Sequence, residues 1–151
     1  MIVDIHSHIW PHPGREGYGS VKERMQFQQR HTLFHMQGGR RFSDNTFTTS
    51  KTLHDGNGTG ISNMYDASFR VGEHGRLIWT YQGEDYYLQW MPPALQNFEA
   101  TPELMVAQMD NLGVDVGVIS RAHIYGRLND YLAEAVKKFP GRFVVSAEID
   151  E

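Results

Sequence analysis

The run Val114-Asp-Val-Gly-Val-Ile-Ser120 is apolar on both of its faces, which suits a strand only when both are covered, as in a parallel sheet flanked by helices. Its flanks supply those helices. Ahead of it, Thr101-Pro102-Glu103 offers an N-cap, a proline at the first helical position and a first-turn acid, and Met105, Met109 and Leu112 recur at helical spacing until Gly113. Behind it, a helix from Asn129 or Asp130 to Phe139 lines up Leu132, Ala135, Val136 and Phe139 and stops at Pro140-Gly141. Phe143 to Ile149 reads as the next strand. Helix, strand, helix and strand in this order belong to parallel α/β architecture.

The other strongly patterned stretch is Ile2-Val-Asp-Ile-His-Ser-His-Ile-Trp-Pro11, a β-branched run broken by Trp-Pro. Strand alternation puts Asp4, His6 and His8 on one face and Val3, Ile5 and Ser7 on the other. Two imidazoles pointing the same way suit one divalent cation, with zinc first and manganese or iron as alternatives. The competing reading is a buried, hydrogen-bonded histidine pair.

Residues 13–100 interrupt the α/β pattern. Pro13 to Gly19 reads as a loop, and Ser20-Val-Lys-Glu23 has capping-box spacing that opens a helix over 21–36, ended by Gly38-Gly39. His31 and His35 share a face of that helix. Beside Gln28, Gln29 and Arg30 they read as a polar surface rather than a second metal pair. Arg40 and Arg41 suit either a carboxylate clamp or plain solvation. Residues 40–66, with Asp55-Gly-Asn-Gly-Thr-Gly60, read as a mobile loop without the lysine that a phosphate-binding loop needs. Three short runs, Ser68–Val71, Arg76–Tyr81 and Tyr86–Trp90, predict a small β-meander. Leu77, Trp79 and Tyr81 share one of its faces, with Tyr87 or Trp90 packing across from them.

Asp4-x-His6-x-His8 on an opening strand resembles the first barrel strand of metal-dependent (β/α)-barrel hydrolases, and the Trp10-Pro11 ending resembles the amidohydrolase-related family. That family also includes non-oxidative decarboxylases and hydratases. Thr101-Pro-Glu-Leu104, Met109 to Ser120 and Lys137-Lys-Phe-Pro-Gly-Arg-Phe143 are similar to its pattern, so the resemblance covers residues 1–11 and 101–151. It implies the first three parallel strands of an eight-stranded barrel, with residues 13–100 as an insertion between the first strand and the first barrel helix. A whole barrel needs about 250 residues, so the chain is expected to be an N-terminal portion with little activity by itself. His6 and His8 would be metal ligands. Trp10 would contact substrate, and Arg121 and His123, on the strand-end rim with Glu148 and Asp150, suit either substrate contact or a solvent-exposed loop pair. The remaining ligands and the proton-handling acid are expected on later strands. Hydrolysis or decarboxylation of a small organic acid is the implied reaction.

The same opening resembles barrel phosphoesterases of the polymerase-and-histidinol-phosphatase type and TatD-like nucleases. A third reading is a non-catalytic module that binds a protein through the meander and loop. With 151 residues, 40% of them hydrophobic, and a net charge of -4 without a basic stripe, the composition argues for a globular chain and against a nucleic-acid partner. No apolar run spans a bilayer and no leader precedes the first strand, so a cytoplasmic location without membrane association is expected. With no cysteine, any metal must be held by His, Asp or Glu. An open edge of apolar strands favours a homo-oligomer.

Overall fold

The computed structural model describes residues 1–54, 64–120 and 123–149, the side chains of Gln37 and His123 excepted. In chain order the regular elements are β1 (Val3–Ser7), α1 (Val21–Leu33), β2 (Arg40–Arg41), β3 (Arg70–Val71), β4 (Arg76–Tyr81), β5 (Glu84–Gln89), α2 (Pro102–Leu112), β6 (Val116–Ile119), α3 (Asn129–Lys138) and β7 (Phe143–Val145). They form a mixed α/β structure in two compact units, one of residues 1–20 and 99–151, the other of residues 21–98. Among the described residues there is no closed barrel. Instead there are a three-stranded parallel sheet, ordered β1-β6-β7, and a four-stranded antiparallel sheet, ordered β2-β5-β4-β3.

In the first unit the parallel strands follow one another in sequence order, linked in the chain through α2 and α3. Thr101 caps α2 by accepting from the Leu104 amide at 3.2 Å, Pro102 occupies the first turn, and Gly113 ends the helix at φ 70°. Gly117 of β6 leaves room for this helix: a Cβ there would sit 3.5 Å from Met105 Cε and Met109 Sδ. Met109, Ile119, Leu132, Ala135 and Phe143 are buried on this side. The opposite face departs from expectation. Val3, Val116, Val118 and Val144 are cross-strand neighbours there, yet Val3 and Val144 are exposed and the other two only half-buried. The helices cover one face of the sheet, and the apolar pattern of the other is uncovered. The third strand is also shorter than residues 143–149. After Ser146, whose amide and hydroxyl both donate to the Ile119 carbonyl, the chain leaves the sheet, and the Asn129 side chain takes both the amide and the carbonyl of Glu148 at 2.8 Å.

The second unit is organised on β4 and β5, whose register pairs Leu77 with Leu88 and Trp79 with Tyr86. Their link, Gln82-Gly83, has positive φ at both residues (52° and 81°), the two-residue turn whose twist matches that of the strands. Met36, Leu53, Ala67, Trp79, Tyr86 and Leu88 form the core, with Trp90 and Tyr81 packed against it. Tyr86 therefore takes the place across from Trp79 that the alternation left to Tyr87 or Trp90. Tyr87 lies on the outer face, opposite Ile78 and edge-on to Phe42. Within the stretch expected to be loop, Arg40 and Arg41 pair with Tyr87 and Tyr86 as the extra strand β2. A two-residue strand is too short to show alternation.

The helix predicted over 21–36 ends at Leu33, and a 3-10 turn over Met36–Gly38 follows. Its buried side is polar. Arg24, Gln28, Gln29 and Thr32 are enclosed, whereas Phe27 and Phe34 are exposed. Hydrogen bonds make this tenable: Gln29 Nε2 donates to the Tyr65 carbonyl at 2.8 Å and Thr32 Oγ1 to the Gln28 carbonyl at 2.8 Å. No helix among the described residues is long and apolar enough to cross a membrane.

Candidate metal centre

β1 carries an irregularity that aims its histidines. Asp4 pairs with Gly117 and Ser7 with Ile119, so three steps along β1 match two along β6, which is the signature of a bulge. Asp4 closes the bulge on itself: Oδ1 accepts from the His6 amide at 3.1 Å and Oδ2 from the Ser7 hydroxyl. Those two bonds, the Ser7 hydroxyl first, hold the Asp4 carboxyl below the usual carboxylate range, with burial opposing them. Asp4 thus positions the strand, with both of its oxygens engaged inside the chain.

Beyond the bulge the two imidazoles meet. His6 Nε2 and His8 Nε2 are 3.2 Å apart, with ring centroids separated by 5.0 Å and planes at 77°. His8 Nδ1 lies 2.7 Å from the carbonyl oxygen of Ser120, at the end of β6. A carbonyl only accepts, so His8 carries its proton on Nδ1 and presents a bare lone pair at Nε2. Within the polypeptide alone, the 3.2 Å contact is then a hydrogen bond donated by His6 Nε2. A His whose distal nitrogen is tied to a carbonyl is also the usual arrangement of a metal-ligating imidazole. Two imidazole nitrogens on one zinc ion at ~2.05 Å and a tetrahedral angle lie ~3.3 Å apart. The observed spacing fits that edge. Among the described residues no group of three His, Cys, Asp or Glu side chains gathers where it could hold an ion.

An open cleft of about 380 Å³ lies at this pair, lined by Asp4, His6, Ser7, His8, Trp10 and Tyr125 and, on the α2 side, by Met105, Gln108, Met109 and Leu112. Trp10 is 6% exposed and held in place twice. Its backbone exchanges hydrogen bonds with Ala100 at 2.9 and 3.1 Å, and its indole stacks on the Tyr125 ring at 4.2 Å and 5°. Tyr125 ends a 3-10 turn, His123–Tyr125, and its ring sits 6.2 Å from that of His8. It was not among the residues singled out from sequence, although its loop was placed on the rim. Burial pushes its phenol up to about 12, so it keeps its proton throughout the neutral range.

Of the other rim residues, Arg121 and Asp150 lie outside the described residues, as does the side chain of His123. So does the glycine-rich segment 55–60. In the second unit, Arg40 stacks its guanidinium over Phe47 at 4.0 Å and donates to the Asn45 carbonyl, and Arg41 pairs with Asp44 at 3.4 Å. These contacts are local to their own strand and turn. His31 and His35 stack at 5.0 Å and 9°, and both meet the edge or face of Trp90, at 4.9 and 4.8 Å. The half-buried His31 is therefore a packing element around Trp90, and burial, seconded by His35, lowers its pKa. A larger hollow of about 470 Å³ between α1 and residues 64–69 is lined by no histidine. The chain has no match among family models, curated proteins or solved structures.

Proposed function

We propose that His6 and His8 hold a divalent cation, zinc foremost, and that the first unit is the opening of a metal-dependent (β/α) barrel enzyme of the amidohydrolase-related kind. The observation that carries this reading is the 3.2 Å approach of two Nε2 atoms, one of which has its tautomer fixed by Ser120. The sheet supports it in two ways. Three parallel strands adjacent in sequence order are the arrangement from which a singly wound barrel grows. The uncovered valine face is what a barrel interior would bury.

A cation at this pair supplies Lewis acidity towards a carbonyl or carboxylate oxygen and a water acidified towards neutrality. The chain's own residues hold and orient the pair: the Asp4 clip orients His6, Ser120 orients His8, and Trp10 walls the cleft. The reaction class is hydrolysis or non-oxidative decarboxylation of a small organic acid, with further ligands and a proton-handling acid contributed by later strands of such a barrel. X-ray absorption on the zinc-loaded chain tests the first step, with two imidazole scatterers expected in the wild type and fewer in His6→Ala and His8→Ala. A zinc environment identical in all three proteins refutes it. Turnover of phosphate esters with manganese, against turnover of carboxylates or amides with zinc, separates the barrel phosphoesterase alternative.

A further inference from the structure

We propose that Tyr125 is the hydrogen-bond donor with which this cleft grips a carboxylate or carbonyl oxygen of a ligand bound at the His6–His8 pair. The proposal rests on the reading of that pair as a metal site. Tyr125 is 6% exposed, and its hydroxyl has no hydrogen-bond partner among the described residues. The hydroxyl is not sealed in the interior, so solvent reaches it although the ring is buried. Tyr125 lines the open cleft that contains both imidazoles, so a ligand oxygen entering there can replace solvent as the acceptor of its proton.

The surroundings decide what kind of ligand fits. Trp10 lies flat against one face of the tyrosine ring and fixes its plane, so a hydroxyl in this position is preorganised. On the α2 side Met105, Met109 and Leu112 are apolar and Gln108 adds one neutral amide, while both oxygens of Asp4 are engaged inside β1. A protonated phenol donates best to an anionic or strongly polarised oxygen. A carboxylate can offer one oxygen to the cation and the other to Tyr125, whereas an amine offers neither. With a cation at the pair and a phenol donor beside it, the site favours a carboxylate over an amine of the same size.

The test uses the full chain without a histidine tag. Zinc affinity is measured first for the wild type and Tyr125→Phe, and benzoate is then titrated calorimetrically into the zinc-loaded proteins. The expected result is unchanged zinc affinity with benzoate binding weakened roughly ten-fold or more in Tyr125→Phe, the scale of a lost hydrogen bond to a charged group. Equal benzoate affinity in the two proteins overturns the role of Tyr125, and so does a zinc-loaded wild type that ignores benzoate. Failure of the wild type to take up zinc overturns the metal reading itself, a distinct outcome. A measurement on the wild type alone guards against a misfolded variant: the Tyr125 ¹³Cζ resonance should shift when benzoate is added to the zinc-loaded protein, and a stationary resonance refutes the contact.

Discussion

Thr52→Val is a sharp probe of the second unit, because it changes one atom's chemistry and almost no volume. Trp79 is fully enclosed, and its indole N–H donates to Thr52 Oγ1 at 3.0 Å. Thr52 Oγ1 in turn donates to the Thr49 carbonyl at 3.0 Å. Valine leaves the indole donor in place with nothing to accept from it. A buried donor stranded in this way costs roughly 1–3 kcal/mol, more than the net worth of a typical hydrogen bond. Taking about 2 kcal/mol, and a urea dependence of about 2 kcal/mol per molar, the unfolding midpoint should fall by about 1 M. Tryptophan fluorescence and far-UV circular dichroism would follow the transition. Thr52→Ser keeps the hydroxyl and should lie well above Thr52→Val. Adding Trp79→Phe to Thr52→Val removes the stranded donor, so the double variant should lose less than the sum of the two single losses. A Thr52→Val midpoint equal to that of the wild type would refute this reasoning.

Gly75 has φ +74°, and an added Cβ would collide with the Met91 carbonyl, which already accepts from the Gln89 side chain at 2.7 Å; Gly75→Ala should destabilise the second unit by roughly 1–3 kcal/mol in the same urea assay. His31 titrates below the usual histidine value because burial and His35 oppose its charge. Between the ordinary value near 6.5 and its lower folded value, the unfolded chain binds more protons, so stability should be constant above that window and fall as pH drops through it. His31→Gln should flatten the difference between urea midpoints at neutral and mildly acidic pH, and an unchanged slope would contradict the assignment. Ser7→Ala removes one of the two bonds that close the bulge under His6; zinc affinity, read by competition with a chromophoric chelator, should drop roughly ten-fold without loss of fold.

Much of the first unit could be read directly because its signals are local. Thr101, Pro102 and Gly113 set the ends of α2, and Val114, Val116 and Val118 together with Ile119 announce a parallel strand. The convergence of His6 and His8 matches the i, i+2 expectation, but not by simple alternation: the bulge puts Asp4 and Ser7, expected on opposite faces, on the same one, opposite Gly117 and Ile119. The bulge at Asp4–Ser7 was not legible. It depends on a pairing with β6 more than a hundred residues away, and only that register shows three steps opposing two. Tyr125 escaped notice because its value lies in what surrounds it: a tyrosine in an exit loop becomes notable only when Trp10 stacks on it and its hydroxyl finds no partner. The helix α1 misled in the opposite way. Its polar residues suggested a solvated face, but Gln29 and Thr32 bond to carbonyls, which lets the polar stripe turn inward and leaves Phe27 and Phe34 outside.

Zinc uptake by equilibrium dialysis, on tag-free wild type and on His6→Ala, His8→Ala and the His31→Ala/His35→Ala pair, bears most directly on the metal centre. The wild type and the His31/His35 variant should each bind one ion per chain, and loss of either His6 or His8 should weaken binding by at least roughly ten-fold. Binding that is indifferent to His6 and His8, or that disappears with His31 and His35 instead, would contradict it.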